Sequence, residues 1–215
     1  MIARFADRAA AGRALAGLLG HYAGRQDVVV LGLPRGGVPV AAEVARVLGA
    51  PLDAFGVRKL GVPGHRELAF GAIAAGGVRV VNSDVIARAG MDEAAIEAVA
   101  AREQVELARR EATYRDNRPA PDLTGQVVIL VDDGLATGAT MRAACLAVRR
   151  AMPTTVVVAA PVAASAAVAD LRRVADDVVV LHVPTRFRAV GESYLSFDPP
   201  SDADVRRMLG PPAPD

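Results

Sequence analysis

An open, mostly parallel α/β sheet with helices on both faces and a small irregular hood is the fold class this sequence predicts. Three observations predict it. Short continuous apolar runs alternate with helical stretches along the chain, and such runs suit strands buried on both faces by covering helices. Three of the runs end abruptly in polar turns bearing glycine, as strand ends near a ligand site do in this class. The 215 residues are 52% hydrophobic and 23% charged, enough apolar material for one large core and too much for a disordered chain.

Taken in order, a helix is predicted from about residue 7 to 22, with Asp7 as its N-cap. "DVVVLGL" (27–33) is a buried strand that breaks at "PRGG", and "VPVAAEVARVLG" is a helix closed by Gly49. "LDAFGV" (52–57) is a second strand, followed by a loop, "RKLGVPGHRELAFG", and a third strand at 77–82. Residues 91–115 read as a long helix, amphipathic through Ile96, Val99, Leu107 and Tyr114. Packing, or contact with a second copy in a homodimer, is its default role. "RPAPDLTGQ" links it to the strand "VVILV", then come a helix at about 139–150, a strand at 154–162, a helix around 164–174 and a strand at 177–183. The remainder mixes Pro, Gly and aromatics and reads as an irregular cap. The expected organisation is a core over 1–183, a hood over 184–209 and a flexible tail over 210–215.

Composition narrows the function. A formal net charge of +1 gives no general reason to expect nucleic acid or an acidic membrane as partner. No helix-turn-helix pattern or basic stripe is visible. A single cysteine, Cys145, precludes an intrachain disulfide, and no 18-residue apolar segment is present, so a soluble cytoplasmic protein is expected. Cys145 falls inside a helix and reads as core. His21, His65 and His182 lie far apart and in no metal-ligand spacing. Lys59 is the one lysine among 25 basic residues; a compact ammonium and a planar guanidinium are not equivalent at a phosphate.

The stretch "VVILVDDGLATGAT" (127–140) carries the most chemistry. A buried strand runs into two adjacent carboxylates, which are costly to bury unpaired. The turn that follows opens a helix and presents unpaired backbone N–H groups, an anion site, with Thr137 and Thr140 adding hydroxyls. The carboxylates cannot serve the same phosphate, but they suit sugar hydroxyls or magnesium. The segment lacks the Gly-Lys-Ser/Thr of a nucleoside triphosphate loop.

This motif resembles the ribosyl-phosphate motif of the type I phosphoribosyltransferases. The resemblance implies that Asp132 and Asp133 hold the ribose hydroxyls of phosphoribosyl pyrophosphate (PRPP), directly or through Mg2+. It implies too that Ala136, Thr137, Gly138, Ala139 and Thr140 wrap the 5-phosphate. In the family the loop after the first core strand binds pyrophosphate through backbone amides, often with a non-proline cis peptide. "LPRGGVPVA" stands there, with Arg35, Gly36 and Gly37 as the contacts. "VRKLGVPGHRELAFGAI" resembles the family's basic strand end and closing loop, with Arg58 and Lys59 reaching pyrophosphate and His65, Arg66 and Glu67 in the mobile part. Closure would exclude water from a ribosyl cation.

The implied activity is transfer of the 5-phosphoribosyl group from PRPP to a small-molecule nitrogen nucleophile, a nucleobase or related heterocycle, as in nucleotide salvage. The motif is similar to that of the adenine branch. Ala136 stands where enzymes for 6-oxopurines carry a carboxylate, which counts against those substrates. As a whole, residues 1 to 209 resemble bacterial phosphoribosyltransferases of unassigned acceptor. The hood is the expected acceptor site, with Phe187 and Tyr194 as rings to stack on a planar base. The competing reading is a PRPP-binding regulator or sensor without turnover.

Overall fold

The computed structural model describes residues 4–116 and 118–210, and the side chains of Arg66 and Glu67 lie outside the described residues, as does the tail beyond 210. Helix α1 (Arg8–Leu18) begins where Asp7 accepts the Ala10 N–H at 2.7 Å. Strand β1 (Val28–Gly32) is buried throughout. Helix α2 (Gly37–Leu48) ends at Gly49, whose φ of 66° is the left-handed conformation that glycine adopts without penalty. Strand β2 (Leu52–Ala54) follows. After the antiparallel segment described below come β6 (Val127–Val131), α5 (Ala139–Arg149), β7 (Thr155–Val162), α6 (Ser165–Leu171) and β8 (Asp177–His182).

The main sheet has five parallel strands in the order β2-β1-β6-β7-β8. From β1 the chain crosses to β2 on one side, whereas from β6 it proceeds to β7 and β8 on the other. The switch point therefore lies between β1 and β6, where the two strand ends diverge and leave a crevice. One face packs α1 and α2 on the sheet through Leu15, Leu19, Val40 and Val44. The other packs α5 and α6 through Met141, Ala144, Cys145 and Leu171. All-apolar strands are the expected result of burial on both sides.

The region after β2 departs from the expected loop. Residues Val57–Val62 (β3) and His65–Ala74 (β4) form an antiparallel hairpin around Pro63 and Gly64, and β5 (Val78–Val81) completes a three-stranded sheet. Its glycines and charges hid the alternation: Leu60, between Lys59 and Gly61, and Phe70, between Ala69 and Gly71, are both fully buried. The expected strand over 52–57 is accordingly split between β2 and β3. Short helix α3 (Ser83–Arg88) leads into α4 (Glu93–Arg115), which starts where Asp92 accepts the Ala95 N–H. Val99 and Leu107 of α4 pack against Leu60, Val62, Phe70 and Ile73 of the small sheet. Tyr114 donates to Asp202 at 2.8 Å.

The cap is more ordered than its composition suggests. A 3-10 turn (Val190–Ser193) precedes α7 (Asp202–Leu209), which opens with a reciprocal Ser201/Asp204 capping box. Val205 and Leu209 of α7 are buried with Val38, Ala54 and Tyr114. Among the described residues no helix is long and apolar enough to cross a membrane.

Candidate functional site

Three chain segments meet at the carboxyl edge of the sheet. The first is Asp132–Thr140, from the end of β6 to the start of α5. The Asp133 N–H donates to Asp132 Oδ1 at 2.9 Å, which fixes one carboxylate over the strand end. Burial pushes the Asp132 carboxyl well above the usual carboxylate range, and the Asp133 charge adds to it. Burial raises Asp133 as well, against the pull of Arg8. Arg8 Nε donates to Asp133 Oδ2 at 2.8 Å, and its NH1 donates to the Asp198 carbonyl at 2.8 Å. The Arg8 guanidinium also lies 3.9 Å from the centre of the Phe197 ring.

The turn itself is exposed at Ala136, Thr137 and Ala139. Gly138 has φ 72° and turns the chain into α5. Within Ala136–Thr140 the one amide with a protein acceptor among the described residues is Ala139, whose N–H reaches Thr137 Oγ1 at a long 3.4 Å. A helix start with free amides attracts an anion through its orphan donors and its dipole.

The second segment is the loop after β1. The Pro34–Arg35 peptide is cis. Gly36 and Gly37 abut the acidic pair: a Cβ on Gly36 would collide with the Asp133 carboxylate, and one on Gly37 would sit 2.6 Å from the Val131 carbonyl. The two strand ends approach this closely only because neither residue has a side chain.

The third is the start of the hairpin, where the structure separates the expected basic pair. Neighbouring strand residues face opposite ways. Arg58 lies on the α4 side with Leu60, donating from Nε and NH2 to Glu103 Oε2 at 2.9 and 2.6 Å. Lys59 is exposed on the opposite face, the side on which Val57 joins the cluster containing α5. His65 is exposed beside the Pro63–Gly64 turn and pairs with Val62. Arg66 and Glu67 belong to β4, and their side chains lie outside the described residues.

The cap reaches the same edge. Tyr194, expected as a stacking ring, is buried; its hydroxyl donates to the Asp133 carbonyl at 2.6 Å, and its ring lies 4.9 Å from that of Phe197 and 5.7 Å from that of Phe5. Its faces are thus taken by protein, and it braces the acidic pair from below. Phe187 is half-buried in the wall of a cleft of about 190 Å3 at the end of β8.

Arg8 and Glu103 escaped sequence reasoning. Nothing near Arg8 marks it, since its partner lies 125 residues away.

A phosphoribosyl transferase domain model matches residues 5–195, most of the chain and all three segments. The chain belongs to the phosphoribosyl transferase family. Two Mycobacterium tuberculosis sequences, from strains H37Rv and CDC 1551, provisionally named phosphoribosyl transferases, are each 50% identical over 205 residues. That match covers 95% of this chain and 46% of each relative, so the chain spans about half the length of the curated relatives it matches. The crystal structure of TT1426 from Thermus thermophilus superposes with a TM-score of 0.83 at 47% identity, covering 96% of this chain and 97% of that one. In this family member the acidic pair and the glycine loop flank the switch point of a parallel sheet.

Proposed function

We propose that the protein transfers the 5-phosphoribosyl group of PRPP to a nitrogen nucleophile and releases pyrophosphate. The observation that carries the reading is the meeting, at one switch point, of a paired carboxylate site, a helix start with free amides and a side-chain-free loop. Each answers to a different part of the donor. The amides of Ala136–Thr140 with the Thr137 and Thr140 hydroxyls receive the 5-phosphate. Asp132 and Asp133 accept from the ribose hydroxyls. The loop Arg35–Gly37, with Lys59 and Arg58 of β3, takes pyrophosphate.

The Asp132 carboxyl fits a divalent cation by its chemistry. It is withdrawn from solvent, beside a like charge, and the one guanidinium at the pair is committed to Asp133. Among the described residues no group of three or more His, Cys, Asp or Glu could hold a metal, so Mg2+ would be held by the aspartates together with donor oxygens. When bound it supplies positive charge that neutralises the departing pyrophosphate.

The remaining work is positional. As the bond from the anomeric carbon to pyrophosphate oxygen breaks, positive charge grows on the ribose, and the bond to the acceptor nitrogen forms on the opposite face. The buried acidic pair favours that charge, and fixed amides stabilise the phosphates without reorganising. The acceptor enters from the cleft beside Phe187, which adjoins the acidic pair through the cap.

The test is pyrophosphate release from Mg2+ and PRPP against purine, pyrimidine and pyridine bases, alongside donor binding. Release dependent on a base is expected. Asp132→Asn with Asp133→Asn should abolish donor binding; unchanged affinity in that double variant would reject the ribose assignment. Lys59→Ala should impair turnover more than ribose 5-phosphate binding. Donor binding without release for any base would favour a sensor.

A further inference from the structure

We infer that the acceptor is a small planar heterocycle carrying a carboxylate, held in the arginine-lined cleft at the end of β8. The inference rests on the transferase reading above. Arg4, Arg186 and Arg188 line this cleft against one carboxylate, Glu192. All three arginines are exposed to solvent within it, and none makes an ion pair or a side-chain hydrogen bond among the described residues. Like charges gathered around a concavity raise its potential and concentrate an anion there.

That anion is not supplied by the donor on the present assignment. The 5-phosphate has the amides after β6, and pyrophosphate has the loop after β1, so the three guanidiniums answer to a further negative group. The cap nevertheless ties the cleft to the donor site. Phe5 and Ser193, both in its lining, are joined by a 2.9 Å bond from the Phe5 N–H to the Ser193 carbonyl. The next residue, Tyr194, bonds the Asp133 carbonyl. Val190 packs where a side chain on Gly134 would stand, directly after the acidic pair.

Size and shape select the class of ligand. About 190 Å3 is below the roughly 300 Å3 at which sites for drug-sized ligands begin, so a single substituted ring fits better than a nucleoside. Phe187 and Phe5 offer apolar walls to a flat ring. A guanidinium fork pairs with a carboxylate through two parallel hydrogen bonds. Anchoring the ring by its carboxylate leaves a ring nitrogen free to face the ribose.

The deciding experiment is calorimetric titration of the protein, first with ribose 5-phosphate and Mg2+, then with matched rings: nicotinate against nicotinamide, and orotate against uracil. The carboxylated member of at least one pair should bind ten-fold or more tightly than its neutral partner. Arg186→Gln and Arg188→Gln should each weaken it by roughly ten-fold, the loss of one charge-assisted contact, while ribose 5-phosphate still binds. Equal or tighter binding of the neutral members, binding of no ring, or unchanged affinity in both variants would overturn the inference while leaving the donor assignment standing. Failure of ribose 5-phosphate to bind the unaltered protein would reject the transferase reading, and the inference with it.

Discussion

Arg8, in the first turn of α1, and Asp133, at the end of β6, form a 2.8 Å ion pair with side chains only 10% and 15% exposed. The first helix thereby closes the site that the middle of the chain begins. Removing one partner of a buried pair strands the other charge, which costs about 3 kcal/mol or more. Arg8→Gln should therefore lower stability by about that amount in denaturant titrations. Pairing it with Asp133→Asn should recover much of the loss in a double-mutant cycle. Additive losses would show that Arg8 acts through Phe197 and the Asp198 carbonyl instead.

Asp132→Asn should stabilise the protein near neutral pH while removing donor binding. Burial raises both acidic-pair carboxyls in the folded state, and the Asp133 charge adds to the rise at Asp132, so the folded protein holds these protons more tightly than the unfolded chain. Their contribution to stability then falls as pH rises from about 3.9, the unfolded value, through the raised folded values. The Asn variant lacks that penalty and keeps an oxygen to accept the Asp133 N–H. Its thermal midpoint at pH 7 should exceed that of the unaltered protein by about 2–4 °C per kcal/mol relieved. The difference should close as the pH approaches 4, and a difference that widened on acidification would refute the assignment.

Gly36→Ala tests the close approach of the two strand ends. Gly36 has ordinary helical dihedrals, so alanine there is penalised only by its collision with the Asp133 carboxylate. Donor affinity should fall at least about ten-fold, equivalent to about 1.4 kcal/mol. Gly49→Ala provides the contrast: open space surrounds it, but φ is 66°. It should cost about 1 kcal/mol of stability through backbone strain and leave donor binding alone.

Arg58 and Glu103 tie the hairpin to α4. Burial raises the Glu103 carboxyl, but its bonds to Arg58 and Arg102 outweigh this and hold it below the usual range. Its contribution to stability is present above the unfolded glutamate value, about 4.3, and is lost as pH falls through the lower folded value. Glu103→Gln should therefore flatten the acid limb of the stability profile. Arg58→Gln should weaken donor binding more than Glu103→Gln does. Equal effects on donor binding would make Arg58 a tether and leave pyrophosphate to Lys59.

Cys145 is fully buried on α5, and burial pushes its thiol up to about 12. It should resist an aromatic disulfide reagent at pH 8 and react at the rate of unfolding. Prompt labelling of the native protein would contradict its place in the core.

Much of this protein was legible without a structure where the signal is local. Unbroken apolar runs announced β1, β6 and β7, because a strand buried on both faces favours apolar residues throughout, and a similar run announced the half-buried edge strand β8. Asp7 and Gly49 marked helix ends through bonds and dihedrals that involve only their neighbours. The run into Asp132 and Asp133 announced a ligand, because no strand end buries two carboxylates for its own sake. What only the tertiary structure decided are relationships between distant residues. The hairpin of β3 and β4 depends on pairing and on the cover supplied by α4. The parting of Arg58 from Lys59 follows from which face of β3 that helix covers. Arg8 and Tyr194 reach Asp133 from opposite ends of the chain, and only the closing of the fold brings together charges that far apart in sequence.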